Sequence, residues 1–581
     1  MAAPALFPSL TSGYERRWLR GDVIAGLTLW AVLVPEALAY ASIAGVSPVV
    51  GLYAAPGALL FYAAFGSSRQ LVVGPGAATA ALSAAAVGDL VAGGSDEFIQ
   101  LTITLAITVG IIAIIAGLLH LGFLAAFISE PVMKGFIIGL ALTIIVGQLP
   151  SLVGIPKGEG GFFGELWDVI TNLGDASGTT TLVGAVSLAL VLGLKRWVPS
   201  APGSLVTVLL AIIAVQIFDL SQHGVEIVGP IDSGLPSFGL PDVAARSYLD
   251  IAPAAIGVML VGFAEGLGAA KTYAQKNRET IDANRELVGL GAANLGAGLG
   301  SGMVVGGSLS KTAVNASAGT KSQLSGLVGA VLIVVTLLFL TGLFEQLPEA
   351  TLAAVVIAAL IDLVDVPSLV RLYHLHTAEL GRIYGFAARP DFISAIAATI
   401  GVLVFDTLPG LFIGIGVSIT LLLYRASRPN IAVLGKVQGT TLFADLERNP
   451  DGRPVPGVVV LRVESGLFFA NADAIRDDVL VHVDESTVAI VLDGETVPFI
   501  DVTAARMLET LAEDLERDGI RLLLARDVGQ VRDVLKREAV DQPIAIAAFP
   551  TVQQAIDAAL RNPASRPPDT VPTSKPDSDH G

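Results

Sequence analysis

The chain has 581 residues, of which 53% are hydrophobic and only 15% are charged, and its mean hydropathy is +0.70. Soluble domains carry about 25% charged residues, so this composition excludes one large water-soluble core and indicates a bilayer as the solvent for most of the chain. The formal net charge of −17 argues against nucleic-acid binding, which needs a basic face, and the lack of cysteine excludes disulfides and thiolate-bound metals.

Apolar stretches of about 20 residues, long enough to cross a bilayer, follow one another up to residue 424. Two more stretches, 71–88 and 302–317, are short and interrupted by glycine. The predicted crossings are 22–44, 48–66, 71–88, 98–119, 123–149, 179–197, 203–219, 250–270, 284–300, 302–317, 322–344, 350–369, 391–406 and 407–424. The sequence therefore predicts an all-α membrane domain of fourteen crossings over 22–424, after an N-terminal segment, 1–21.

The loops between these crossings alternate in charge, which predicts the orientation of the chain. Positively charged loops stay on the cytoplasmic side of a membrane. Basic residues precede the first crossing and follow the even-numbered ones, among them Arg16, Arg17, Arg20, Arg69, Lys195, Arg196, Lys271 and Lys276. Acidic residues follow the odd-numbered crossings, among them Asp96, Glu97, Glu165, Asp168, Glu226, Glu345 and Glu349. Only Lys157 and Arg246 depart from this pattern. The alternation predicts a protein of the cell (inner) membrane with both termini in the cytoplasm.

The two broken segments resemble each other. Residues 72–81 read VVGPGAATAA and residues 304–313 read VVGGSLSKTA, and each begins the third crossing of a seven-crossing half. Paired interrupted helices are typical of inverted-repeat transporters, because unwound backbone in a membrane is tolerated only where it lines a cavity or is buried in protein. A helix that starts there directs free N–H groups at the cavity. The alternative is a pair of glycine-rich packing seams.

Lys311 lies at the start of the second half-helix, beside the hydroxyls of Ser308, Ser310 and Thr312. An ionisable group inside a span costs about 2.5–3.5 kcal/mol even on the mildest scale, so it usually has a function. The Lys311 ammonium, the hydroxyls and the N–H groups at the helix start would together offer hydrogen-bond donors to an anion. The alternative is a lysine that extends to the membrane interface or forms a structural ion pair.

Two carboxylates also lie inside predicted spans. Glu265, in GFAEGLGAAK, is expected to bind a proton readily, because an apolar environment disfavours the charged form. It is a candidate for coupling proton entry to anion entry and for compensating Lys311; the alternative is a hydrogen-bonded packing carboxyl. Glu36 follows Pro35, which we expect to break the first helix and to bring Glu36 to the same cavity.

Other charged residues have structural interpretations. Glu130 and Lys134 are four residues apart and suit an ion pair on one helix face. Asp22 is expected to cap the first span. No phosphate-binding glycine loop, nucleophile elbow or metal-ligand spacing is found in the sequence, so we expect no enzyme activity, no cofactor, no bound metal and no ATP-driven pump.

These residues resemble the sulfate permease (SulP) family of anion transporters. The resemblance rests on RRWLRGDVIAGLTLWAVLVPEALAYASIAGVSPVVGLYAA near the start, GSSRQLVVGPGAATAAL after it and GGSLSKTAVNASAGTKSQLSGL in the second half. It covers nearly the whole chain. It implies a fold of 7+7 inverted-repeat transmembrane segments, in which a core domain moves like an elevator against a gate domain, and it implies a homodimer.

The resemblance also implies a substrate site between the two half-helices. Its residues here would be Gly74, Gly76, Ala77 and Thr79 on one side and Ser308, Ser310, Lys311 and Thr312 on the other. Many members have arginine in place of Lys311, whose ammonium lacks the planar fork that binds oxyanions. Many have glutamine in place of Glu36. Glu265 matches an acidic position that is associated with proton coupling.

After about residue 430 the pattern changes to strands, at 458–465 and 487–494, alternating with amphipathic helices. The segment LDGETVPFIDVTAARMLETL resembles the signature of the STAS domain, so we predict a cytoplasmic α/β STAS domain over 430–562. Thr503 stands near the position of a phosphorylatable serine in bacterial relatives of this domain; the other interpretation is a regulatory and assembly surface. Residues 563–581, rich in Pro, Ser and Asp, are expected to be disordered.

Four functions remain open at this point. The first is a secondary active transporter of a small oxyanion, with sulfate before bicarbonate or a dicarboxylate, coupled to protons. The second is an anion channel on the same fold. The third is a membrane-anchored STAS regulatory protein with little transport. The fourth, a nucleobase transporter, is disfavoured by the attached domain and by the Ser-Lys start of the second half-helix. The sequence does not distinguish between anions of similar charge.

Overall fold

The structure is a computed structural model that describes residues 7, 14–88, 90–91, 95–158, 160–198, 202–231, 233–361, 363–375, 389–538 and 546–561. The predicted disordered tail, 563–581, lies outside the described residues, as does most of the N-terminal segment. Contacts divide the chain into two compact units. The first comprises Met1–Leu375 with Asp391–Ser418, and the second comprises His376–Pro390 with Ile419–Gly581.

The first unit is built from apolar helices. Its first half contains α1 (Leu19–Ile43), α2 (Pro48–Phe65), α3 (Ala77–Gly88), α4 (Asp96–Leu118), α5 (Glu130–Val153), α6 (Phe162–Asn172), α7 (Gly178–Trp197) and α8 (Gly203–Phe218). Its second half contains α9 (Ala245–Asp250), α10 (Ala252–Asn277), α11 (Ala283–Leu299), α12 (Leu309–Ser317), α13 (Leu324–Phe339), α14 (Thr341–Phe344), α15 (Glu349–Ile361), α16 (Val366–His374), α17 (Pro390–Phe405) and α18 (Thr407–Ala426).

The membrane character of this unit follows from these helices. Within the described residues, eight helices are long and apolar enough to cross a bilayer, and four shorter apolar helices accompany them. The mostly helical fold of the membrane domain is thus confirmed, whereas the number of fourteen crossings stays a prediction. Glu130 and Lys134 form the predicted ion pair, at 2.7 Å. The predicted break at Pro35 is wrong, since α1 continues through this residue to Ile43.

A short sheet inside the membrane unit joins the two broken segments, and the sequence did not predict it. β1 (Val72–Gly74) pairs in antiparallel fashion with β2 (Gly306–Ser308), with Val73 opposite Gly307. All residues of both strands are buried. Backbone N–H and C=O groups need partners in an apolar surrounding. Each unwound segment therefore supplies part of the hydrogen bonding that the other has lost.

The two halves of this unit interdigitate rather than lying side by side. α11 packs against α2 and α4, and α13 packs against α1 and α2. Helices of one half are thus surrounded by helices of the other. The arrangement agrees with the repeat seen in the sequence, and it brings the starts of α3 and α12 together.

The second unit has an α/β fold with one six-stranded sheet in the order β4-β3-β5-β6-β7-β8. Neighbours from β5 to β8 are parallel, whereas β3 is antiparallel to both β4 and β5. The strands are β3 (Ile431–Lys436), β4 (Phe443–Asp445), β5 (Val458–Val463), β6 (Ala489–Asp493), β7 (Arg521–Ala525) and β8 (Ala547–Phe549). The helices are α19 (Ala472–Val481), α20 (Val502–Arg517), α21 (Gly529–Glu538) and α22 (Val552–Arg561).

The signature loop of this unit leads directly into α20. Asp501 caps the helix, since its carboxylate accepts a hydrogen bond from the backbone N–H of Ala504 at 2.8 Å. Gly519, at φ +75°, follows the helix end, where the left-handed conformation favours glycine. Thr503 is exposed in the first turn. Its phosphorylation stays a prediction.

Candidate functional site

Buried side-chain amides hold the unwound backbone on both sides of the short sheet. Asn294 of α11 is fully buried, and its amide donates to the carbonyl of Val305 and accepts from the N–H of Val305, each at 3.0 Å. The amide nitrogen of Gln323 donates to the carbonyls of Ser68 and Leu71, both at 2.9 Å. These contacts replace helical hydrogen bonds and allow both segments to remain extended inside an apolar unit.

A cavity lies where α3 and α12 begin, with about 670 Å³ of free space, its opening included. Six of the eight predicted substrate-binding residues line it: Gly76, Ala77, Thr79, Ser308, Ser310 and Lys311. The remaining wall contains Tyr40 of α1, Glu265 of α10, Ile137 and Leu140 of α5, and Leu360 of α15. Two helix starts thus meet one cavity, and each start has backbone N–H groups without partners in its own helix.

The other two predicted residues, Gly74 and Thr312, lie behind the described lining. Gly74 is part of β1 and pairs with Gly306. The hydroxyl of Thr312 donates to the carbonyl of Ser308 at 2.5 Å and accepts from the N–H of Val72 at 3.0 Å. Both residues hold the short sheet together, and the sheet in turn positions the lining.

Lys311 is the central charged group of the cavity and is only 1% exposed. Its ammonium donates to the carbonyl of Pro75 at 2.7 Å and lies 3.1 Å from a carboxylate oxygen of Glu36. It also lies 4.8 Å from the centre of the Tyr40 ring, within the range of a cation–π contact. Lys311 therefore links the second half-helix to the first broken segment and to α1. The pairing alternative for Lys311 is thus realised, whereas its extension to the membrane interface is not.

Glu36, 8% exposed, is the partner of Lys311, a role that the sequence assigned to Glu265. Glu265 lines the cavity and has no hydrogen bond or ion pair with another described residue. Removing a charge from water costs several kcal/mol unless it is paired. The site thus contains the unpaired carboxylate of Glu265, which lines the cavity, and the paired carboxylate of Glu36, which is not among the described lining residues and contacts the cavity through Lys311.

Glycines at the back of the cavity allow the backbones to approach closely. A Cβ atom added to Gly307 of β2 would lie 2.4 Å from the Cα of Gly266 on α10. A Cβ atom added to Gly306 would lie 2.9 Å from Cγ2 of Thr79. A Cβ atom on Gly74 would meet only Leu33, at an ordinary 3.5 Å. The glycines of β2 therefore leave no room for a side chain, whereas Gly74 of β1 does.

Two buried carboxylates that support the site have roles that the sequence did not predict. Glu286 of α11 accepts hydrogen bonds from the Tyr62 hydroxyl, from the hydroxyl and N–H of Ser67 and from the N–H of Ser68, at 2.6–2.9 Å. It fixes the turn before β1. An acidic residue at the start of an apolar span is the signal that would have identified it.

Asp22 fixes a turn in the other half, between α12 and α13. It is fully buried and accepts from the N–H groups of Lys321 and Ser322 and from the Ser322 hydroxyl, at 2.6–3.2 Å. The prediction that Asp22 caps its own helix is wrong: α1 begins at Leu19, and the carboxylate binds the turn before α13. An isolated span gives no sign of a partner about 300 residues away.

The paired half-helices, the shared cavity and the buried charges define a class of protein, the membrane transporters built from repeated units with interrupted helices. Residues 19–385 match the sulfate permease family, and residues 449–555 match the STAS domain. The chain therefore belongs to the sulfate permease family and carries a STAS domain, as the sequence predicted.

Similar proteins cover nearly the whole chain. A probable sulfate transporter of Mycobacterium tuberculosis (strain CDC 1551 / Oshkosh) is 37% identical over 526 residues, which span 90% of this chain and 92% of the relative. High affinity sulfate transporter 1 of Stylosanthes hamata is 30% identical, over 90% of this chain and 80% of the relative.

Solved structures share the fold. The murine Solute Carrier 26 family member A9 anion transporter, in the inward-facing state, superposes with a TM-score of 0.85 at 23% identity, covering 96% of this chain and 94% of the other. The transmembrane domain of a cyanobacterium bicarbonate transporter gives a TM-score of 0.58 at 25% identity, covering 69% of this chain and 98% of that domain.

Proposed function

We propose that this protein is a secondary active transporter of a small oxyanion, with sulfate as the first candidate and bicarbonate or a dicarboxylate as the next. The observation that carries the proposal is the cavity between the starts of α3 and α12, with Lys311 buried in its wall. Helix N-termini bind anions through free N–H groups and the helix dipole. The names of the relatives, which include sulfate transporters from bacteria and plants, agree with this substrate class.

The charge balance of the cavity favours reversible binding. Because Glu36 compensates Lys311, the anion is held mainly by N–H groups and by hydroxyls such as that of Ser310. A site with an uncompensated cation would bind an oxyanion more tightly and release it more slowly. Transport requires release, so a nearly neutral pair beside the anion suits a carrier.

Proton coupling follows from the same pair. Protonation of Glu36 would remove the counter-charge of Lys311 and leave its ammonium available to the anion. Glu265, unpaired in the same cavity, would take a proton without breaking an ion pair. In either case the proton and the anion favour each other's binding, which is the requirement for symport.

Movement of the site as one body is supported by the short sheet. β1 and β2 join α3 and α12, whereas the facing wall consists of apolar side chains of α5 and α15, such as Ile137, Leu140 and Leu360. An apolar wall without ion pairs to the cavity allows one part to slide along the other. This arrangement suits elevator-type alternating access. We expect a homodimer in the cell (inner) membrane, with both termini in the cytoplasm.

The test is uptake into proteoliposomes that contain the purified protein. Labelled sulfate, bicarbonate and dicarboxylates are offered separately, with and without an inward proton gradient. We expect saturable uptake of at least one of them, accumulated above equilibrium when the gradient is present. Flux that does not saturate and ignores the gradient would indicate an anion channel. If the wild-type protein shows no flux and Lys311→Ala retains the regulatory effect of the wild type, the protein is a membrane-anchored regulator.

A second test addresses Glu265. In Glu265→Gln we expect anion binding and exchange to persist but proton-driven accumulation to be lost, because the amide has a similar shape but takes up no proton. The measurement compares counterflow with gradient-driven uptake in the same vesicles. If accumulation persists in Glu265→Gln but is lost in Glu36→Gln, the coupling proton belongs to Glu36.

A further inference from the structure

A second cavity lies along the same two helices that line the first. It has about 1250 Å³ of free space, its opening included. Its wall contains Ala81, Ala84 and Ala85 of α3, and Thr143, Ile144, Gly147 and Gln148 of α5. The first cavity is lined by Ala77–Thr79 of α3 and by Ile137, Leu140 and Ala141 of α5. The linings come within two positions of each other on both helices, from Thr79 to Ala81 and from Ala141 to Thr143, so the two cavities are consecutive along one path.

The wall of the second cavity carries charged side chains that do not line the first cavity. Lys157 follows α5, Glu165 lies on α6, and Asp406 lies between α17 and α18. Lys157 is one of the two residues that depart from the alternating charge of the loops. Gln148, 7% exposed, also lines the cavity, and its side chain has no hydrogen bond with another described residue. The cavity therefore offers a cation and a free amide next to two carboxylates.

The position of Glu165 is set by the absence of a side chain on α5. A Cβ atom added to Gly147 would lie 3.2 Å from Oε2 of Glu165. The carboxylate thus lies directly against the helix that lines both cavities. Burial raises the pKa of Glu165; Lys157 lowers it, and Asp168 of α6 and Asp406 raise it. Glu349 of α15 also lies within electrostatic range of Lys157.

We propose that this second cavity is an entrance site for the transported anion, in which Lys157 attracts the anion and the proton occupancy of Glu165 sets how strongly. With Glu165 ionised, the lining carries one positive and two negative charges and disfavours an anion. With Glu165 protonated, one charge of each sign remains, and Lys157 and Gln148 are available. The inference rests on the proposed function, because it assumes that an anion crosses this path.

The sign of the pH dependence follows from these charges. Because the pKa of Glu165 is raised, it becomes protonated at a higher pH than an ordinary glutamate. The apparent KM for the anion should therefore fall as the pH falls on the membrane face to which the second cavity opens. This effect differs from proton coupling at the first cavity, because it changes the KM on one face and does not drive accumulation.

The experiment measures KM and kcat for labelled sulfate, the first candidate substrate, separately for transport from each face of oriented membrane vesicles, at several pH values. In Lys157→Gln we expect the KM from one face to rise by about threefold to tenfold, with kcat unchanged, the size expected from removing a charge several ångströms from the ligand. In Glu165→Gln we expect a lower KM on that face that no longer depends on pH, with proton-driven accumulation intact. Lys157→Arg retains the charge and should behave as the wild type.

Asp175→Asn is the matched control, because it removes a negative charge from the same connection, at an exposed residue that does not line the cavity. A wild-type KM in Lys157→Gln on both faces would overturn the inference. A fall of the KM in Asp175→Asn as large as that in Glu165→Gln would also overturn it. Lys157 is exposed, so its substitution is not expected to impair folding. A wild-type protein without any anion flux would instead defeat the proposed function, which keeps the two failures apart.

Discussion

The two broken segments share the same order of elements but differ in their charged groups and in the space they leave for side chains. Both consist of a three-residue strand followed by a short helix, and a buried amide holds the backbone of each. The second segment carries the helix cap Ser308, the cation Lys311 and a glycine that allows no side chain. The first segment contributes Pro75, whose carbonyl receives Lys311, and small residues. A repeated unit can therefore share one fold while chemistry is concentrated in one copy.

The largest effect is expected at the charge that only the second segment has. Lys311→Met leaves the Glu36 carboxylate buried without its partner, so we expect anion uptake to be lost and stability to fall by about 3–5 kcal/mol. Thermal unfolding of the purified protein and vesicle uptake measure the two effects.

A double variant separates charge balance from function. In Lys311→Met combined with Glu36→Gln, neither position carries a charge, so most of the stability should return. Uptake should stay absent, because the ammonium that protonation of Glu36 would release to the anion is missing. If the losses of stability in the two single variants simply add in the double variant, Lys311 and Glu36 do not interact in the way that we describe.

A smaller effect is expected from the glycines of the short sheet. Gly307→Ala would force backbone atoms apart, because the added Cβ lies 2.4 Å from the Cα of Gly266, and we expect a loss of about 1–3 kcal/mol. Gly74→Ala, in the facing strand, meets only Leu33 at 3.5 Å and should cost less than about 0.5 kcal/mol. Denaturation midpoints of the two variants test the difference; equal losses would remove the asymmetry.

The smallest effect is expected from the hydroxyls in the cavity. Ser308 caps α12 by accepting from the N–H of Lys311 at 3.3 Å, so Ser308→Ala should lower the free energy of unfolding by about 1 kcal/mol. Because the residue also lines the cavity, we expect the anion KM to rise by about fivefold, the size of one lost hydrogen bond. The hydroxyl of Thr79 donates to Gly76 within its own turn, so Thr79→Val should change the KM by about twofold or less. A larger change in Thr79→Val than in Ser308→Ala would reverse the comparison.

Hydropathy and the matched glycine-rich motifs were sufficient to predict the helical membrane unit, both broken segments and the α/β domain. These features are local, because a span or a half-helix leaves its pattern within about 20 residues. The cluster of Gly76, Thr79, Ser310 and Lys311 around one cavity also follows from two local motifs once they face each other.

Features that depend on distant pairing were not predictable. The register of β1 and β2 has no local pattern in the sequence, so nothing indicated that Gly74 and Thr312 would lie behind the lining. The sequence also assigned Glu265 rather than Glu36 to Lys311, because both carboxylates lie in spans whose rotation is set by packing. Asp22 was misassigned for the same reason, since its partners belong to the other half of the chain.

The register of β1 and β2 also restricts how the family can diversify. Val72 faces Ser308 and Gly74 faces Gly306, so inserting or deleting one residue in either strand would turn every following side chain to the opposite face. Neither segment can change its length without a compensating change in the other. New substrate preferences are therefore expected to arise by substitution in the first turns of α3 and α12, and alignments of related chains should be free of gaps across both strands.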